Sequence, residues 1–261
     1  AYSMHYYTRP RQEKWADKGP STGFPESEWA STLRNTLLME ELVTKHSAIM
    51  DKYDPEKRVA LFVDEWGTWY DPAPGQEPGF LWQQNTLRDA LVAALNFNIL
   101  HRHADRVRMA NIAQMVNVLQ AMILTDKEKM LLTPTYHAFQ MYVPFQDATF
   151  LPVEASAPQY KAGDVTLPAV DVSAARGKDG RVHLALVNLD PNKPATVSTK
   201  IAGVKARAAS GRILTATAMD AHNTFDKPNN LQPAEFKGTR KGDELVFVLP
   251  PKSVAVVALS E

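Results

Sequence analysis

No cysteine occurs among the 261 residues of this chain, which removes disulfides, thiolate nucleophiles and Cys-based zinc sites together. Net charge is missing as well. Lys and Arg total 29 and Asp and Glu total 29, so no field of one sign recruits nucleic acid or an anionic membrane surface, and a neutral partner is expected. No apolar run reaches the roughly 18 residues of a membrane span, and the N-terminus has no basic stretch followed by an apolar core. The seven histidines form no HExxH or other tight ligand set. His101 and His103 stand close together, but a structural role suits them better than a metal, and neither a metal nor a cofactor is implied. The absences together read as a cytoplasmic protein, with secretion after loss of a signal as the alternative.

A hydrophobic content of 44% and a charged content of 22% describe a globular protein long enough for one large domain or two ordinary ones. Its organising stretch runs from Arg58 to Tyr70. The short apolar, β-branched and aromatic run Val59–Asp64 predicts a buried strand of a parallel sheet. Asp64 and Glu65 follow at its end, with Trp66, Gly67 and Trp69 directly after. At the C-terminal end of a strand in a (β/α)8 barrel, such residues project into the catalytic face. Aromatic rings beside a carboxylate suit a sugar, whose apolar face stacks on indole while its hydroxyls need polar partners. The plain alternative is a loop start or a helix N-cap. Asp64 and Glu65, as neighbours on a strand, are expected to face opposite sides.

Around that stretch the chain alternates. His5 and Tyr7 lie two apart on an opening strand and share a face. Residues 9–27 read as a loop, whose Trp15 either lines a cleft or packs its own loop down. Ser27 is expected to cap a helix with apolar positions at Leu33, Leu37, Leu38, Leu42 and Ile49, ending before Asp54-Pro55. Residues 71–80, rich in Pro and Gly, read as a loop forming a pocket wall. A helix follows from about Gln84 to His101, and a shorter one is expected around Asp105–Asn111. Ile112–Leu124 reads as a buried strand or helix with Gln114, Asn117 and Gln120 satisfied internally, residues 126–132 as a turn, and Thr133-Pro134 as the start of a last helix.

Near residue 146 the pattern changes to short runs at 165–167, 182–189, 196–201, 212–217, 244–249 and 253–259, separated by turn clusters. That predicts an antiparallel β-sandwich, jelly-roll-like, over 146–261 after a barrel portion over 1–145. A packing role is expected of it, with a carbohydrate-binding module as a minor alternative. Ala221–Asp226 is the loop most suited to return to the barrel.

Val63–Tyr70 resembles the nucleophile motif of the family 51 α-L-arabinofuranosidases. Further segments resemble that family in the same order: His5-Tyr6-Tyr7, 104–118, Thr133-Pro134-Thr135-Tyr136 and 221–225. The resemblance implies the C-terminal half of a (β/α)8 barrel followed by the β-sandwich, with Glu65 as the nucleophile of a retaining glycosidase. By the same resemblance Tyr7 hydrogen-bonds Glu65, His5 orients that pair or a sugar hydroxyl, Trp69 forms the apolar wall and Gln114 meets a sugar hydroxyl. Trp66 either adds to the wall or packs behind Glu65. The family's general acid/base is a Glu preceded by Asn on an earlier strand, and no Asn-Glu dipeptide occurs in this sequence.

The expected activity is therefore release of terminal α-L-arabinofuranosyl residues from arabinose-containing oligosaccharides or polysaccharides. This chain would supply the nucleophile half, with an N-terminal half as partner and a homo-oligomer possible by family analogy. The alternatives are a related endoglucanase or β-xylosidase, or a non-catalytic sugar-binding or assembly fragment.

Overall fold

Strand and helix alternate through the first part of the chain. The computed structural model describes residues 1–204 and 206–260. It contains β1 (Tyr2–Thr8), α1 (Glu26–Tyr53), β2 (Leu61–Thr68), α2 (Leu87–Arg102) and β3 (Val107–Ile112). The three strands pair in parallel in the order β1-β2-β3, as the sequence predicted for a piece of a barrel. Among the described residues no further strand pairs with the outer edge of β1 or of β3.

Several local expectations shift. The strand expected over 59–64 begins at Leu61 and continues to Thr68, so Asp64 and Glu65 lie within β2 and not at its end. Helix α1 is capped by Pro25 in extended conformation, two residues before Ser27, and stops at Tyr53 as Pro55 requires. The helix expected around 105–111 is strand β3 instead. Pairing with β2 satisfies its backbone, and a six-residue segment has too little local preference to resist that.

Ile112–Leu124 is for the most part neither strand nor helix, with Asn117 and Leu119 at positive φ. The turn expected over 126–132 is a hairpin of β4 (Ile123–Asp126) and β5 (Lys129–Leu132). Helix α3 (Pro134–Tyr142) starts where expected, with the Thr133 hydroxyl accepting from the Tyr136 N–H.

The second part is antiparallel. It comprises β6 (Thr149–Leu151), β7 (Gln159–Ala162), β8 (Val165–Pro168), β9 (Val170–Arg176), β10 (Val182–Asn188), β11 (Ala195–Thr199), β12 (Ala208–Thr215), β13 (Ala234–Lys241), β14 (Glu244–Leu249) and β15 (Ser253–Ser260). Eight of these join one hydrogen-bonded sheet in the order β11-β14-β13-β12-β15-β10-β9-β6, while β7 and β8 pair alone. Strands distant in that order share one core, where Phe247 and Leu249 cluster with Ala174, Leu184 and Leu186. The facing layers thus arise from one sheet curling over itself.

Strands β10 and β15 are buried on both faces. Leu184, Leu186, Val257 and Leu259 point into the curl, while Ala185, Val187, Val254 and Val256 join a second core with Trp29, Leu33, Leu91 and Ala138 of the helices. This explains why their sequences read as continuous apolar runs. The Trp29 indole N–H also donates to the Leu189 carbonyl at 2.9 Å, fixing α1 to the sheet. No helix among the described residues is long and apolar enough to cross a membrane.

Candidate active site

Glu65 owes its surroundings to an irregularity in β2. On the β1 side Met4 pairs with Val63 but His5 pairs with Glu65. Toward β3, Val63 pairs with Ala110 but Trp66 pairs with Ile112. Against both neighbours β2 carries one residue too many, which is a bulge, and a bulge breaks the strict alternation of faces. The expectation that Asp64 and Glu65 face opposite sides fails for that reason. His5 lies between them, with Nε2 3.2 Å from Asp64 Oδ1 and Nδ1 3.5 Å from Glu65 Oε2.

Alternate residues of β1 supply the other contacts, as a shared strand face dictates. The Ser3 hydroxyl donates to Asp64 Oδ1 at 2.7 Å. The Tyr7 hydroxyl donates to Glu65 Oε2 at 2.8 Å. Burial raises the Tyr7 phenol above its ordinary value, and the Glu65 hydrogen bond and charge add to this, so Tyr7 remains a proton donor through the neutral range. The Glu65 side chain is about half open to solvent, at 48% exposure.

An aromatic wall stands next to the carboxylate. Trp69 meets Tyr7 edge-on at 5.2 Å between ring centroids, and Trp15 meets Trp69 edge-on at 5.1 Å. Trp15 is 62% exposed and is flanked by the Arg9 guanidinium at 4.9 Å and the Lys18 ammonium at 5.3 Å. It therefore belongs to the open wall that Trp69 begins. Trp66 does not, being wholly buried, stacked on Phe139 and edge-on to Phe97.

Gln114 follows Ala113, whose N–H donates to the Trp66 carbonyl at 2.8 Å, so it lies at the same end of the sheet as Glu65. Its side chain is exposed. Among the described residues it makes no hydrogen bond to His5, Tyr7, Glu65 or Trp69.

The sequence reading missed a buried network that fixes the end of β2. Asp89 Oδ1 accepts from the Thr68 hydroxyl at 2.7 Å and from the Tyr70 hydroxyl at 3.0 Å, and its Oδ2 accepts from the Thr86 N–H. Burial raises the Asp89 carboxyl against these hydrogen bonds and the Arg88 charge. Gln120 accepts from the Thr68 N–H and donates to the Asp89 carbonyl and the Thr135 hydroxyl. Gln83 accepts from the Tyr70 N–H. Gly67 lies between, where a Cβ would come within 3.2 Å of the Ala113 carbonyl oxygen and 3.3 Å of Gln120 Cβ. Thr86 and Asp89 form a capping box at the start of α2, and that three-residue spacing is the one local signal that could have found them; the long-range partners carried none.

The loop at 221–226 does return to the first part of the chain. The Leu87 N–H donates to the Ala221 carbonyl at 2.8 Å, and the Asn223 amide donates to the Leu132 carbonyl at 2.8 Å. The two histidines with short spacing separate. His101 stacks on Phe145 and contacts the Ser173 hydroxyl, with burial pushing it down to about 4, whereas His103 pairs with Glu40. Among the described residues no group of three His, Asp or Glu is placed to hold a metal ion.

Comparison with known proteins identifies relatives of the chain. Residues 64–253 match the family described as the α-L-arabinofuranosidase C-terminal domain. An intracellular exo-α-L-arabinofuranosidase of Bacteroides ovatus is 44% identical over 260 residues, covering 98% of this chain and 50% of that protein. The crystal structure of the GH51 arabinofuranosidase from Xanthomonas axonopodis pv. citri superposes with a TM-score of 0.96 at 57% identity, covering 99% of this chain and 52% of that one. The α-L-arabinofuranosidase of Thermotoga maritima, solved as an arabinose complex, shares the fold at a TM-score of 0.78 and 22% identity, covering 99% and 52% of the two chains. The chain spans about half the length of these relatives.

Proposed function

The chain belongs to the glycoside hydrolase family 51 α-L-arabinofuranosidases, as their C-terminal portion, and from this we propose that it supplies the nucleophile half of a retaining site that releases terminal α-L-arabinofuranosyl residues. The observation that carries the reading is the Tyr7–Glu65 hydrogen bond. It occupies Oε2 and leaves the other carboxylate oxygen for the anomeric carbon. Attack by Glu65 forms a covalent arabinosyl ester while a second carboxyl protonates the departing oxygen; water then attacks the anomeric carbon, giving up a proton to that carboxylate and releasing the Glu65 carboxylate. His5 orients the pair, Trp69 holds the apolar face of the sugar, and Gln114 hydrogen-bonds a hydroxyl once substrate is bound.

Retaining chemistry places the two carboxyl groups about 5 to 5.5 Å apart. Asp64 is engaged with Ser3 and His5, and no Asn-Glu dipeptide occurs in the chain, so the acid/base is assigned to the half that completes the barrel beyond the open edges of β1 and β3. Residues 1–145 form the barrel portion and 146–261 the β domain. Arabinose-containing oligosaccharides or polysaccharides are the substrates, a homo-oligomer is the assembly family analogy favours, and the cytoplasm is the compartment, in keeping with the intracellular relative.

The test is Glu65→Gln in the complete enzyme, meaning this chain together with the half that completes the barrel. Substrate binding should persist while turnover of an aryl α-L-arabinofuranoside disappears and no covalent label forms at position 65. Wild-type rates would overturn the assignment. Faster hydrolysis of an aryl β-xyloside or β-glucoside than of the arabinofuranoside would move the substrate class instead.

A further inference from the structure

Asp64 is the residue of the bulge that the proposed chemistry leaves without a task. Its placement is unusual. Two consecutive carboxylates on one side of a strand repel each other, and the bulge that puts them there also interrupts the ladder toward both neighbouring strands. Local arrangements of this kind, unfavourable by themselves, concentrate where a site needs them.

His5 stands between the two carboxylates, with one ring nitrogen toward each. At 3.2 and 3.5 Å the contacts lie at and beyond the long end of N–H···O hydrogen bonds, as is common for catalytic contacts before substrate closes the site. His5 is itself 49% exposed, so packing alone does not hold the ring. Asp64 is the nearer of its two carboxylate neighbours, and Asp64 in turn is held by the Ser3 hydroxyl. Along β1 the residues Ser3, His5 and Tyr7 thus serve Asp64, then both carboxylates, then Glu65.

We propose that Asp64 is a positioning residue of the site: it holds His5 against Glu65 and so keeps the Glu65 carboxylate turned toward the anomeric carbon, with Ser3 fixing Asp64. This rests on the reading of Glu65 as nucleophile. A misplacement of the attacking group by about 1 Å can slow the reaction about 100-fold, so the contribution appears in kcat and not in binding.

In the complete enzyme, Asp64→Asn is expected to lower kcat on an aryl α-L-arabinofuranoside by about 10- to 100-fold with KM within about twofold. Because Asp64 acts through His5, the double variant with His5→Ala should be no slower than His5→Ala alone. Ser3→Ala should lower the same parameter to a smaller extent. Wild-type kcat in Asp64→Asn, or losses that multiply in the double variant, would overturn the proposal. Should Asp64→Asn fail to fold by circular dichroism, Ser3→Ala decides, and wild-type kcat there would reduce Asp64 to a structural residue. Glu65→Gln run in parallel separates the two ideas. Turnover in that variant defeats the nucleophile reading, whereas no turnover in it beside a normal Asp64→Asn defeats the positioning role alone.

Discussion

Tyr7 and Glu65 meet on a diagonal. In backbone register Tyr7 stands opposite Gly67 and Glu65 opposite His5, yet the Tyr7 hydroxyl reaches back two residues to Glu65 Oε2 at 2.8 Å. A long, rigid side chain on the shared face of β1 spans that offset, and its ring is buttressed edge-on by Trp69.

Tyr7→Phe keeps the ring and its contact with Trp69 but removes the donor. A hydrogen bond to a charged group is worth about 1.5–3 kcal/mol, so kcat/KM on an aryl arabinofuranoside should fall by about 10- to 100-fold. Steady-state kinetics of the complete enzyme check this, and an unchanged kcat/KM would mean that the hydrogen bond does not contribute to catalysis.

Acid stability should depend on Asp54. The Val59 N–H first, and the Arg106 guanidinium with the Arg58 N–H besides, hold its carboxyl down to about 2. A depressed carboxyl stabilises the fold above its unfolded value of about 4, and that contribution is lost as pH falls through about 2. Asp54→Asn should therefore lower the unfolding midpoint near neutral pH, with the gap to wild type closing as pH falls from about 4 toward 2. A gap that stays constant over that range would show that the carboxylate charge is not the cause.

Trp66 separates packing from chemistry. Trp66→Ala removes a wholly buried ring stacked on Phe139 and should cost about 3–5 kcal/mol. Trp66→Phe should cost far less, because it keeps an aromatic ring and discards an indole N–H that has no hydrogen-bond partner among the described residues. Denaturant unfolding of both variants checks the order, and equal losses would mean that the N–H is satisfied in solution.

The β/α segment was legible because its signals are local. Leu33, Leu37 and Leu42 fall at helical spacing, Pro55 ends α1, and Thr133 caps α3. Strand β3 was not legible. It is short, five of its six side chains are exposed or half-buried with charged Arg108 among them, and only the neighbouring β2 makes it a strand. The same holds for β13, whose outward residues carry no apolar pattern.

Within the site, sequence alone marked Glu65, Trp69, His5 and Tyr7, since motif and two-residue spacing are properties of the chain. It misdirected Asp64, because the alternation rule holds only for an unbroken strand, and where a bulge falls depends on pairing with two other strands. The network of Thr68, Tyr70, Asp89 and Gln120 likewise joins residues as far as 52 positions apart. Sequence therefore determined which side chains carry charge, aromatic surface and strand or helix preference. Only the tertiary structure decided that Asp64 and Glu65 share one imidazole, that Trp66 packs inward while Trp15 faces outward, and that one curled sheet forms both layers of the β domain, because each of these is settled by which distant backbone lies alongside.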